Sequence, residues 1–195
     1  MKPRIYVIGN GESRFAPGMP ERYPGFTIGC NVAAFGVECD EVVALDLRVF
    51  TRHVVGFRHS RAHCIFVSAA PGTEKLPRFV NEIPASRDHE WTDREEDGIL
   101  CHSNTGLTAI HMAALHDPKA QIVLIGFDMK APGKLTTDGG GLYPEGDRTN
   151  AAQTYATMMD AFRFHAKSLA RFDIVNANVD SGLDLFPKCA LAEVM

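Results

Sequence analysis

Ser103-Asn104-Thr105-Gly106-Leu107-Thr108-Ala109-Ile110-His111-Met112-Ala113-Ala114-Leu115, followed by Gln121-Ile122-Val123-Leu124-Ile125-Gly126-Phe127-Asp128-Met129, is the stretch that decides the fold. It reads as a polar turn that opens a helix, a short connector, and a buried strand that runs into an acidic residue. Ser103 or Asn104 can cap the helix by accepting from its free amides, and Gly106 lets a ligand approach the backbone at the positive end of the dipole. Leu107, Ile110, Met112, Ala113 and Ala114 make this helix too apolar for a surface, and Asp117-Pro118 ends it, so it packs against a sheet. The aliphatic run 122–125 shows no alternation, as expected of a strand covered on both faces, and Asp128 lies just past its carboxyl end. Ligands of open α/β sheets bind at that edge.

The same pattern recurs toward the amino terminus. Arg4-Ile5-Tyr6-Val7-Ile8 is a buried strand followed at once by Gly9-Asn10-Gly11-Glu12-Ser13, whose glycines permit positive φ and whose consecutive amides can form an anion-binding nest. The loop lacks the third glycine of the dinucleotide fingerprint and the Gly-Lys-Ser/Thr of a P-loop. Phe26-Thr27-Ile28-Gly29-Cys30 delivers Asn31 to the start of a small helix, and Glu41-Val42-Val43-Ala44-Leu45 delivers Asp46 in the same manner. Four strands therefore end in small or polar residues: Gly9-Asn10, Asn31, Asp46 and Gly126-Phe127-Asp128.

The order "VIGNGES", "TIGCNVAAF", "VVALD", "SNTGLTAIHMAA", "IVLIGFDM", then a Gly-rich acidic stretch and "DIVNANVDSGLDLFP", resembles a group of phage and bacterial Rossmann-like proteins. These are similar to the bacterial CMP-sialic-acid-dependent sialyltransferases and to the broader family of flagellin glycosyltransferase-like and hydroxymethylpterin diphosphokinase-like proteins. The resemblance spans nearly the whole chain. It implies an α/β three-layer sandwich with a mainly parallel Rossmann-like sheet. It also implies nucleotide contacts from Gly9, Asn10, Gly11 and Asn31, from Asn104, Thr105 and Gly106 at the helix opening, and from Gly126 and Asp128 after the next strand. The sialyltransferases use a histidine after a mobile lid as general base, whereas residues 130–150 here contain none. Related phage proteins carry a His-rich Gly-Asp element where this chain reads Tyr143-Pro144-Glu145-Gly146-Asp147-Arg148.

Composition bounds these readings. With 195 residues and 45% hydrophobic content the chain can bury one good core, and 1–195 is expected to be a single domain. A formal net charge of −4 disfavours a nucleic-acid coat. The segment 47–63 is nonetheless basic, with Arg48, Arg52, Arg58 and Arg61 beside His53, His59 and His63; it reads as a solvated helix and loop in preference to a polyanion contact. Cys30, Cys39, Cys64, Cys101 and Cys189 are scattered without a Cys-x-x-Cys pair, as reduced thiols of a cytoplasmic protein are. No stretch resembles a signal peptide or a membrane span.

The remaining segments divide into connections and one long helix. Residues 68–102 read as an irregular insertion holding one short helix or edge strand, pinned to the body by Trp91. Residues 130–150 are too glycine-rich for a regular element and too long for an ordinary connection, so they read as a lid carrying Tyr143, Asp147 and Arg148 toward the ligand. Residues 151–171 read as one amphipathic helix with Tyr155, Met158, Met159, Phe162 and Leu169 on its core stripe and a structural His165. Asn176 and Ser181 either face the ligand or close turns.

The expected function is nucleotide or nucleotide-sugar binding in a glycosyltransferase-like enzyme, with His102 or Asp147 as the base and His111 structural. No cofactor is implied by that reading. One alternative is a phosphotransferase of the pterin diphosphokinase-like type, in which Asp46 and Asp128 at adjacent strand ends hold Mg2+ through water. The other is a catalytically silent nucleotide-binding or assembly protein. A homo-oligomer is compatible with the sequence.

Overall fold

Apolar runs such as 5–8 and 122–125 form the central strands because a strand covered on both faces has no polar position to alternate with. A computed structural model describes residues 2–72, 75–101, 104–129 and 151–195, the side chains of 151–154 excepted. Among the described residues seven strands form one sheet: β1 (Arg4–Ile8), β2 (Phe26–Cys30), β3 (Glu41–Ala44), β4 (His63–Ser68), β5 (Val80–Pro84), β6 (Gln121–Ile125) and β7 (Asp173–Asn176). Their order is β5-β4-β3-β2-β1-β6-β7 and every pairing is parallel. The chain winds outward from β1 to β5, crosses back to place β6 beside β1, and continues to β7. Progress along the sheet therefore reverses between β1 and β6.

Helices cover both faces. α1 (Leu47–Arg52) and α2 (Val54–Ser60) share one face with the 3-10 turn Asn31–Phe35, while α3 (Thr105–His116), α4 (Ala151–Phe164) and α5 (Ala166–Leu169) cover the other. The two-residue period of β1 sorts its side chains between them. Ile5 and Val7 pack with Leu107, Ile110, Ala113 and Phe162, whereas Tyr6 and Ile8 pack with Val32, Phe50 and Phe57. The result is the expected three-layer α/β arrangement with a Rossmann-like parallel sheet. Every α3 residue from Leu107 to Ala114 is buried, and each large apolar side chain among them contributes about 1.5–3 kcal/mol.

One segment differs from its sequence reading and another takes the form expected of it. The helix expected over 151–171 breaks at His165 (φ −94°, ψ 9°), and both Phe162 before the break and Leu169 after it reach the same core. Within 68–102, β5 joins the sheet as its edge strand, and short 3-10 turns at Arg87–His89 and Glu95–Asp97 follow. Trp91 pins this segment, its ring 4.5 Å from that of His111 and 5.5 Å from that of Phe172. His111 is fully buried: Nδ1 accepts from the Leu100 amide at 2.8 Å and Nε2 lies 2.8 Å from the Thr92 carbonyl. Its role is structural. No helix among the described residues is long and apolar enough to cross a membrane.

Candidate functional site

The carboxyl ends of β1 and β6 meet at the reversal point, where the two glycine loops are stitched together. The Gly9 amide donates to the Ile125 carbonyl at 2.7 Å and the Gly11 amide to that of Gly126 at 2.8 Å. A β-carbon at Gly9 would lie 2.6 Å from the Gly126 oxygen, and Gly126 itself holds φ +72°. These glycines are required for loop-on-loop approach, a reason the sequence did not reveal. The nest expected of Gly9 and Gly11 is corrected accordingly, because their amides already serve protein carbonyls.

Asp128 completes this junction. Its carboxylate accepts from the Ser13 amide at 2.9 Å, from the Ser13 hydroxyl, and from Asn178 Nδ2 at 2.8 Å. Both oxygens thus tie the loops after β1, β6 and β7 to one another. Asn176 Nδ2 and Ser181 Oγ both donate to the Phe127 carbonyl, so these two residues close turns around the same loop.

At the opening of α3, Asn104 is 4% exposed and caps the helix, its Oδ1 accepting from the Gly106 amide at 2.9 Å and the Leu107 amide at 3.3 Å. The space above Gly106 is taken by the Phe127 ring, 2.6 Å from where a β-carbon would stand. The opening expected at Gly106 is therefore filled by protein. Thr105 is half-buried, its carbonyl 3.9 Å from Cys30 Sγ. Asn104 Nδ2, by contrast, is buried without a partner among the described residues.

Two further asparagines complete the picture. Asn10 Nδ2 donates to the Cys30 carbonyl at 3.1 Å, which ties the β1 loop to the end of β2, while its Oδ1 is buried and unpartnered. Asn31 follows Cys30 with φ +54°, a left-handed conformation that asparagine tolerates better than most residues. Strained backbone at a strand end is a frequent mark of functional sites.

Sequence reasoning missed Arg14. It lies in the 3-10 turn Glu12–Phe15, is 5% exposed, and leaves Nε and Nη1 without a hydrogen-bond partner among the described residues. Burial is the main influence lowering its pKa. The only available signal was its position after the Gly-Asn-Gly loop; no periodicity marks it as an inward residue. Cys30 and Cys39 lie near it, and burial raises both thiols, that of Cys39 to about 12, so neither is a thiolate nucleophile. Burial raises the pKa of half-buried Tyr155 of α4, and Asp128 and Glu12 add to the rise, so a residue read as core stripe feels the charge of the acids of this edge.

The metal arrangement expected of Asp46 and Asp128 does not form. β3 and β6 are separated by β2 and β1, three strand spacings or about 14 Å, because the order reverses at β1. Asp46 instead caps α1 through the Arg48 amide at 2.9 Å and pairs with the Arg48 guanidinium at 2.6 Å, an interaction that holds its carboxyl below the usual range. That pair also gives Arg48 of the basic segment a local partner. No group of three or more His, Cys, Asp or Glu residues among the described residues is arranged to hold a metal ion. His102, Asp147, Tyr143 and Arg148, with the lid 130–150 and the cap alternative Ser103, lie outside the described residues. A hollow of about 400 Å³ opens at the opposite, amino edge between Arg22, Phe26 and Asp40; none of the residues considered above lines it.

Compared with protein-family models, curated proteins and solved structures, the chain matches none.

Proposed function

We propose that this protein binds a nucleotide or nucleotide sugar at the carboxyl edge of its sheet, as a glycosyltransferase-like enzyme of the kind its motif order resembles. One observation carries the reading. At the point where strand order reverses, Asn10 and Asn104 each keep a buried polar atom without a hydrogen-bond partner among the described residues. A parallel sheet opens a crevice at such a point. Buried polar groups are otherwise nearly always satisfied, so a ligand that completes them accounts for their retention.

The atoms are of complementary kinds. Asn10 Oδ1 accepts and Asn104 Nδ2 donates, a pair suited to ribose or sugar hydroxyls, which do both. Asn31 presents a third amide from the neighbouring strand end. Catalysis in this reading stabilises the departing nucleotide phosphate while His102 or Asp147 takes the acceptor proton. The lack of a histidine in 130–150 favours, as a second reading, a binder that kept the pocket without the base.

A thermal-shift panel of nucleotides and nucleotide sugars, with and without Mg2+, tests the proposal, since a ligand bound only to the native state raises its apparent stability. A cytidine or uridine nucleotide is expected to raise the melting temperature without a metal requirement. No shift from any nucleotide at millimolar concentration would sink the reading, and a strict Mg2+ requirement would move it to phosphoryl transfer.

A further inference from the structure

We propose that Arg14 reads the phosphate of the bound nucleotide: its buried guanidinium, whose Nε and Nη1 have no hydrogen-bond partner among the described residues, is the site's anion-recognising group. The inference rests on the nucleotide reading above and supplies the charge that the asparagines lack.

The electrostatics come first. A guanidinium stays protonated in proteins, so burial does not discharge it as it would a lysine or a carboxyl. Fully buried arginines are accordingly almost always paired. Arg14 is 5% exposed, yet Nε and Nη1 have no hydrogen-bond partner among the described residues. The thiols of Cys30 and Cys39 interact with it electrostatically, and their burial keeps them neutral. Of the acids on this edge, Asp128 directs its hydrogen bonds to Ser13 and Asn178, and Glu12 is exposed. A desolvated cation without a counter-charge destabilises the free protein, and a ligand anion would remove that penalty.

Position points the same way. Arg14 follows the β1 loop and packs on the β6 loop, its Cβ 3.3 Å from where a β-carbon of Gly126 would stand. The bare glycine makes room for the arginine stem at the reversal point. Asn10 reaches the Cys30 carbonyl from the same loop, which brings the guanidinium, Asn10 and the end of β2 into one neighbourhood.

Phe15 supplies the entrance. Its ring lies 4.3 Å from the Arg14 guanidinium carbon and is 59% exposed. A cation resting on an aromatic face is held more weakly than one forked onto phosphate oxygens, so an incoming phosphate displaces the ring. The planar fork offers two parallel donors, the geometry that distinguishes a phosphate from a sugar hydroxyl.

The test compares the full-length protein with its Arg14→Gln and Arg14→Lys variants, using CMP, UMP, cytidine and pyrophosphate as probes in calorimetric titration and thermal melting. Arg14→Gln is expected to melt at or above the parent temperature, because an unpaired buried charge has been removed. It should also lose at least tenfold in affinity for CMP, UMP and pyrophosphate while its affinity for cytidine is unchanged. Should Arg14→Gln not fold, Arg14→Lys keeps the charge but loses the fork, and the same selective loss is expected from it. Equal nucleotide affinity in parent and variants overturns the role of Arg14 and leaves the nucleotide reading standing. Pyrophosphate binding that depends on Arg14, without binding of any nucleotide, upholds the anion role and removes the nucleotide reading. No binding of any phosphate-bearing probe to the parent overturns both.

Discussion

The two edges of the sheet treat polar groups in opposite ways. At the amino edge, Glu41 accepts from His116 at 3.0 Å and stands 3.8 Å from His63. Asp40 accepts the Thr27 amide at 2.8 Å, Lys2 pairs with Asp173 at 3.0 Å, and Arg4 donates to Gln121 and to the Val194 carbonyl. At the carboxyl edge, Asn10, Arg14 and Asn104 each keep a buried atom unsatisfied among the described residues. An unmade buried hydrogen bond costs about 1–3 kcal/mol, so a cluster of them at one end of a sheet is retained for something other than folding. One edge pairs its polar groups within the protein; in the proposed reading the other leaves some of them for a ligand.

α3 joins the two regimes, and its buried histidine gives the strongest test. His111→Ala removes the acceptor for the Leu100 amide, the contact to Thr92 and the platform under Trp91. It should cost about 3–5 kcal/mol in denaturant unfolding while leaving nucleotide affinity of the folded protein unchanged. A loss below about 1 kcal/mol would break the division between a structural helix body and a receptive helix start. The pH response has a definite sign. Burial lowers the His111 pKa, so its contribution is complete above the ordinary histidine value of 6.5 and is lost as pH falls below it toward the depressed folded value.

Gly126→Ala attacks the junction that shapes the receptive edge. Its β-carbon would stand 2.8 Å from the Gly9 oxygen at φ +72°, a cost of about 2 kcal/mol that calorimetric melting would register. Nucleotide affinity should fall with it. Undiminished stability would show that the two loops are not stitched as described.

Asn31→Gly sharpens the contrast from the other side. Glycine keeps the left-handed backbone and removes the amide, so stability should change by no more than about 0.5 kcal/mol while nucleotide binding weakens by about 1–3 kcal/mol. Unchanged affinity would leave Asn31 a backbone device only.

The smallest effect belongs to the paired edge. The Glu41 hydrogen bond raises the His116 pKa, so the pair stabilises the fold below pH 6.5 and that contribution is lost as pH rises through the elevated folded value. Glu41→Gln should flatten this slope by only about 0.5 kcal/mol, since His116 is well exposed. The imidazole titration followed by NMR gives the shift directly.

By itself, the sequence marked the central strands, narrowed the α3 cap to Ser103 or Asn104 and pointed to a sheet covered on both faces. Each rests on local pattern: apolar runs of four residues at 5–8, 42–45 and 122–125, and polar residues placed directly before an apolar helix. It also brought out the strand ends at Gly9, Asn31 and Gly126. Only the tertiary structure decided what those ends do. Strand order is a non-local property, and its reversal at β1 separates Asp46 from Asp128 while bringing Gly9 against Gly126. The same long-range packing commits Asp128 to Ser13 and Asn178, fills the space over Gly106 with Phe127, and buries Arg14. No hydrophobic period encodes a charged residue turned inward, because its burial is imposed by loops distant in sequence that close over it.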